Sequence, residues 1–461
     1  MIEMSNEELF YKPQNVYEKM DAAETAACFA YAEGYKKFLS AAKTERLAVK
    51  EAVKLAEAHG FKPYQYGKTY APGEKVYDVN RGKAITLAII GKEPLSSGAY
   101  IAAAHVDSPR LDLKQIPLYE DSGMVYFKTH YYGGIKKYQW VAMPLELHGV
   151  VIRRNGTPVE ISIGAEPGEP QFVITDLLPH LDSSMGKKTV AEYIPGENLS
   201  LLTGSIPDKE EHDTPVKLAI LKILKEKYGI VEEDFLSAEL EAVPAYDARD
   251  IGLDRSLIGG YGHDDRVCAY AELAAILDTE APNKTSVCLL VDKEEIGSEG
   301  ISGMISTAFE RFMDSLCRMD GSTLYDCFAH SFCLSADVCN AYDPLFAEVS
   351  DKRNNAQINC GLGIIKFTGS RGKSGSNDAS AEVVGRVRRI FAESDVVWQM
   401  GELGKVDQGG GGTVAMFMAR RNIETIDAGV PVLSMHAPFE VVAKLDCYMT
   451  YKAVLAAYAD Q

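Results

Sequence analysis

The chain has 461 residues, 46% of them hydrophobic and 25% charged, and a formal net charge of −18. This is the mixture of a globular chain that buries a large core without staples, and its length allows about three domains or one enzyme with one large insertion. The acidic balance argues against a phosphate backbone, and so against nucleic acid, as a partner.

In chain order, the opening stretch 1–15 is polar and acidic and lacks the basic start and apolar core of a signal peptide. Residues 22–59 place Ala, Leu and Phe at spacings of three and four, which predicts a helix stopped by Gly60. Residues 75–79 and 84–90 flank Asn80-Arg81-Gly82, a hairpin signal. The apolar run 98–104 ends in His105. Residues 115–247 differ in character: β-like stretches at 124–129, 145–153, 159–163 and 172–175 alternate with Gly, Pro and charged segments such as 166–170 and 207–212, and one amphipathic helix is expected at 215–228. This block reads as a β-rich domain inserted into a discontinuous first domain, 1–114 plus 248–461. It is too large for a surface loop.

After Tyr261 the α/β pattern returns. Apolar strands are predicted at 286–291, 331–336 and 430–435, with helices at 267–277, 306–319, 379–392 and 412–421. Strands alternating with helices predict a mostly parallel sheet covered on both faces. No stretch approaches the ~20 apolar residues of a membrane helix. The nine Cys are odd in number and form no Cys-x-x-Cys pair; they read as small buried hydrophobes of a reducing cytoplasm.

Ligands of open α/β sheets bind at the carboxyl ends of strands. His105 and Asp107 follow the first apolar run, Glu294 and Glu295 follow 286–291, Asp337 follows 331–336, and His436 follows 430–435; Asp264 opens the helix at 267. Each alone is explained by a turn, a cap or a hydrogen-bonded core His. Together, two His, two Asp and one Glu form an N/O donor set at non-local spacing that suits zinc, with cobalt or manganese as alternatives. Five ligands exceed one catalytic ion and serve two only if a carboxylate bridges, which assigns Asp264 to the bridge. Three carboxylates against two divalent ions leave one positive charge for a bound hydroxide. Glu294, left over beside Glu295, is the candidate general base. Asp107 is placed to accept the second ring N–H of His105. A phosphate loop at 369–374 and a nucleophile elbow at 372–376 fail on glycine spacing, and no His-Glu-x-x-His occurs. The run Gly409–Gly412 reads either as a tight turn or as the opening of a helix whose N–H groups face a substrate.

The segments 104–109, 262–268, 292–298, 335–337 and 434–439, in this order and spacing, resemble the aspartyl aminopeptidase family of metallopeptidases, its bacterial branch above all. The resemblance implies a metallo-aminopeptidase that removes single N-terminal residues from peptides and assembles into a tetrahedral dodecamer. It implies that His105, Asp264 and Asp337 hold one metal and Asp264, Glu295 and His436 the other, with Glu294 as base. His180, in Leu178-Pro-His-Leu181, lies near a family segment that reaches a neighbouring subunit. Lys366 matches a Lys that lines the specificity pocket. Many relatives carry two His where this chain has Asn340 and Asp343, which puts a preference for acidic N-terminal residues in question. A dizinc deacylase or carboxypeptidase, and a catalytically silent shell protein, are the rival readings.

Overall fold

A computed structural model describes residues 9–183, 185–210 and 213–460. The first eight residues of the polar opening stretch, and Glu211 and His212 of the charged segment at 207–212, therefore lie outside the described residues. The chain is mixed α/β, built around a nine-stranded sheet. Its centre is four parallel strands in the order Thr285–Val291, Ala99–His105, Phe332–Ser335, Glu424–Gly429. On one side the sheet continues antiparallel through the predicted hairpin, Lys75–Asn80 and Ala84–Ile89. On the other, Leu362–Ile365 runs antiparallel to Glu424–Gly429.

Side-chain alternation explains why these strands read as continuous apolar runs. Tyr100, Ala102 and Ala104 pack into one core with the helices Ala22–Ala41, His263–Leu277 and Lys444–Ala459, whereas Ala99, Ile101 and Ala103 pack into a second core with Ala308–Asp320 and Leu324–Ala329. Both faces are dry, so neither can be polar. All nine Cys are buried and unpaired. No helix among the described residues is long and apolar enough to cross a membrane.

A six-stranded antiparallel sheet, Pro158–Ile163, Leu145–Ile152, Ala238–Pro244, Arg110–Asp121, Met124–Tyr132, Ser200–Gly204, is covered by the helix Pro215–Tyr228 around Trp140, Phe127 and Leu147. A five-stranded sheet joins Arg249–Ile251, Leu257–Gly260, Glu440–Ala443, Pro431–Leu433 and Cys339–Asn340.

Three elements differ from expectation. The helix read at 22–59 is two, Ala22–Ala41 and Glu45–Ala58, because Thr44 turns the chain and its hydroxyl accepts the Leu47 N–H at 3.3 Å. The strand read at 430–435 is not part of the parallel sheet: the chain leaves that sheet at Gly429 and enters the five-stranded one as Pro431–Leu433. Phe172 and Val173 make only isolated bridges.

Candidate functional site

The carboxyl ends of the central strands converge. Val291 pairs with His105, and Ser335 with Ala103 and Asp427, so the loops that follow open on the same edge of the sheet. Asp264 reaches that edge from the first turn of His263–Leu277, where Asp264 and Asp265 depart from helical geometry. His436 arrives from the five-stranded sheet, at a φ of 64°.

These residues form a tight cluster. Asp264 Oδ1 lies 3.2 Å from His105 Nε2, and its Oδ2 lies 3.2 Å from His436 Nε2. His105 Nε2 is 3.9 Å from both Asp337 Oδ1 and Glu294 Oε2, and His436 Nε2 is 3.6 Å from Glu295 Oε1. Both rings are oriented from behind: His105 Nδ1 donates to the Asp107 carbonyl at 3.0 Å, His436 Nδ1 to the Gly134 carbonyl at 2.9 Å. A carbonyl can only accept, so each Nδ1 carries the proton and each Nε2 turns inward.

Asp107 is buried and surrounded by donors. It accepts the Glu294 and Glu295 N–H groups, each at 3.1 Å, and the Tyr132 hydroxyl at 2.7 Å. Burial opposes its ionisation, but His105, Tyr132 and Arg110 outweigh burial and hold the carboxyl below its ordinary range. Asp264 behaves likewise, burial being outweighed by His105 and His436, which hold it below its range; the other inward-facing carboxyls behave oppositely. Burial, reinforced by neighbouring carboxylates, pushes Asp337 and Glu295 well above theirs. Burial raises Glu294 to about 7, with Asp107 and Asp264 adding to it against the pull of His105. His436 loses solvation too, yet Asp264 and Glu295 raise it to about 10. Glu295 Oε1 has no hydrogen-bond partner among the described residues. Crowded carboxylates facing two Nε2 atoms are a donor set that divalent cations fit, and zinc takes this N/O mixture.

Two groupings lie close enough to share an ion: His105, Asp265 and Asp337, and Asp264, Glu295 and His436. The first contains Asp265, which the sequence reading left out of the ligand set; it is fully buried and its Oδ2 accepts the His105 N–H at 3.4 Å. Glu440 was also missed. Buried, it accepts the N–H groups of Asp264 at 3.1 Å and His436 at 2.7 Å, tying the two segments together. Its position four residues after His436 was the only available signal.

The cluster floors a cavity of about 560 Å³, lined also by Asn340, Phe367, Arg371 and Gly409 to Thr413. The glycine run lines it as a loop; the helix beyond, Ala415–Arg420, begins later and is short. Lys366 is not brought to this cavity. Ile365 and Phe367 line it, and between them Lys366 points elsewhere, its Nζ 2.6 Å from Asp378. The strand Leu362–Ile365 ends just before Lys366, and the chain bends there so that its ammonium meets Asp378. His180 sits in the short helical turn Pro179–Leu181, exposed and outside the cavity lining. Asp343 also stays outside and caps the turn Pro344–Val349.

The comparisons follow this geometry. Residues 38–458 match the sequence profile of the family described as aminopeptidase I zinc metalloprotease (M18). A protein of Clostridium acetobutylicum named "Probable M18 family aminopeptidase 1" is 47% identical over 452 residues, covering 96% of this chain and 97% of the relative. The crystal structure of an M18-family aminopeptidase from Thermotoga maritima superposes with a TM-score of 0.94 at 44% identity, covering 98% of this chain and all of that one. The dodecamer structure of mApe1 from S. cerevisiae has the same fold, with a TM-score of 0.75 at 19% identity over 92% of this chain and 95% of that one. The chain belongs to the M18 family of zinc metalloproteases and is an aminopeptidase.

Proposed function

We propose that the chain removes single N-terminal residues from peptides using two divalent ions, zinc first and cobalt or manganese as alternatives, held by His105, Asp264, Asp337, Glu295 and His436. The observation that carries this reading is the Asp264 carboxylate, with one oxygen 3.2 Å from each imidazole Nε2. When bound, the ions supply Lewis acidity toward the scissile carbonyl and acidify the attacking water. Glu294 takes the proton from that water and passes it to the departing amine. Asp107 keeps His105 in one tautomer and, through the two amides it accepts, fixes the Glu294-Glu295 loop.

The proposed preference for N-terminal Asp or Glu is moderate and shifts from Lys366 to the cavity rim. Of the rim cations, Lys373 is engaged by Asp378 and Lys405 by the Glu348 carbonyl, whereas Arg371 makes no hydrogen bond or ion pair among the described residues. An exposed pair of this kind is worth about 1 kcal/mol, roughly a fivefold ratio. The β-rich unit 115–247 is proposed to build subunit contacts, with His180 presented toward a neighbour. The yeast mApe1 dodecamer supports a multi-subunit assembly, which a fully active particle of monomer mass would contradict. Nine unpaired thiols support a reducing, cytoplasmic setting.

The test is a rate profile over all aminoacyl anilides and their N-acetyl derivatives, with metal counted on the same sample. Turnover that needs the free α-amino group supports the reading. Equal turnover of acetylated substrates points to a deacylase, and a zero rate with every metal to a silent shell. Repeated with Arg371→Met and Lys366→Met, the Glu-to-Leu ratio should fall about fivefold only in the first.

A further inference from the structure

Three consecutive residues, the last of a strand of the six-stranded sheet and the two that follow it, touch both halves of the cluster. Tyr132 ends the strand Met124–Tyr132 and is 8% exposed, with its hydroxyl on Asp107 Oδ2 at 2.7 Å. Through Asp107 that contact reaches the His105 ring, whose Nδ1 is 3.4 Å from Asp107 Oδ1, and the amides of Glu294 and Glu295. Gly133, at a φ of 71°, passes so close to Glu295 that a Cβ there would lie 3.1 Å from Oε2 and 3.3 Å from the Glu295 Cβ. Gly134 offers its carbonyl to His436 Nδ1 at 2.9 Å. The segment is braced from behind. The Arg110 guanidinium lies 3.8 Å from the centre of the Tyr132 ring and is itself held by Glu241 at 3.3 Å and Glu45 at 3.6 Å.

We propose that Tyr132-Gly133-Gly134 is a strap by which the β-rich unit positions the two imidazoles against each other, and that Tyr132 is a positioning residue for the metal centre. This rests on reading His105 and His436 as metal ligands. The rings come from different sheets, His105 from the nine-stranded and His436 from the loop after the five-stranded one. This one three-residue span orients the His436 Nδ1 directly and holds the carboxylate of Asp107, the residue whose carbonyl accepts from the His105 Nδ1. Asp107 is the intermediary on one side, and the backbone acts directly on the other. Only glycine at 133 lets the span pass over Glu295 without displacing it.

Tyr132→Phe removes the hydroxyl and keeps the ring beneath Arg110. Zinc-loaded Tyr132→Phe should release metal into a chelator about tenfold faster than wild type, the usual scale for partners that orient ligating His. Its kcat should fall by a similar factor with KM little changed. Gly133→Ala should give the same signature by pressing on Glu295. A hydrogen bond that only stabilised the fold would shift the melting temperature of metal-free and metal-loaded protein equally and leave metal release alone. His105→Ala, measured alongside, separates the two claims. If it keeps both metals, the ligand assignment fails and the strap with it. If it loses metal while Tyr132→Phe and Gly133→Ala release metal at the wild-type rate, the strap alone is overturned.

Discussion

Glu294 and Glu295 are neighbours in sequence but face different partners. Glu295 Oε1 looks toward His436, while Glu294 Oε2 stands 3.9 Å from His105 Nε2 and lines the cavity. Glu294→Gln keeps the shape and loses the proton acceptor, so it should keep its metal and lose about 10²–10⁴-fold in kcat; metal content and turnover on one sample decide this. Asp264→Ala should lower metal occupancy at both positions together, and His105→Ala chiefly at one, because the Asp264 carboxylate faces both rings. Two metals per chain in Asp264→Ala would rule out the bridge. The sequence shows the residues of this cluster because each follows an apolar strand or opens a helix, where ligand groups collect. Asp265, Tyr132 and Glu440 escaped notice because they act through contacts with segments 25 to 176 residues away in sequence. Lys366 matched a pocket residue only by resemblance; in the structure it follows the end of the strand Leu362–Ile365, at a bend between two residues that line the cavity, and pairs with Asp378.

At the level of elements, the strands buried on both faces were the most legible, since nothing but apolar side chains is tolerated there. The breaks were not. Helical spacing runs from Ala22 to Ala58 with Thr44 in the middle, and a lone Thr is a weak cap signal until its hydroxyl is seen on Leu47. Similarly, 430–435 reads as one run although the chain changes sheets beside Val430. Gly429 makes this possible: a Cβ there would overlap the Asp337 carbonyl oxygen, so the strand Glu424–Gly429 can end only by passing directly under the Asp337 backbone. Gly429→Ala should therefore destabilise the protein by about 2 kcal/mol or more, in the range of overpacked cores, and should lower metal occupancy by displacing Asp337. Wild-type melting and wild-type metal content would show that the backbone yields at no cost.

For the whole molecule, the parallel centre fixes where the cluster opens, and the six-stranded sheet supplies what stands behind it. The alternation of strands and helices, together with a β-rich middle stretch, made this arrangement readable. The boundary was less so, because the strand Arg110–Asp121 enters the second sheet only a few residues after His105 and carries mixed polar and apolar side chains. The nine buried thiols give this architecture a built-in clock. Burial raises seven of the nine thiols, and the hydrogen bond between Cys317 and Cys327 raises Cys317 and holds Cys327 lower. A thiol that is neither exposed nor ionised reacts with a disulfide reagent only when the chain opens around it. Labelling under native conditions should therefore be slow, with Cys339, which lines the cavity, the first to react. The remaining thiols should appear together, at the denaturant concentration where helicity is lost. A burst of several equivalents in the folded state would contradict this. The same trace, taken with and without a chelator, would time how often the closed chain opens, with no need for a substrate.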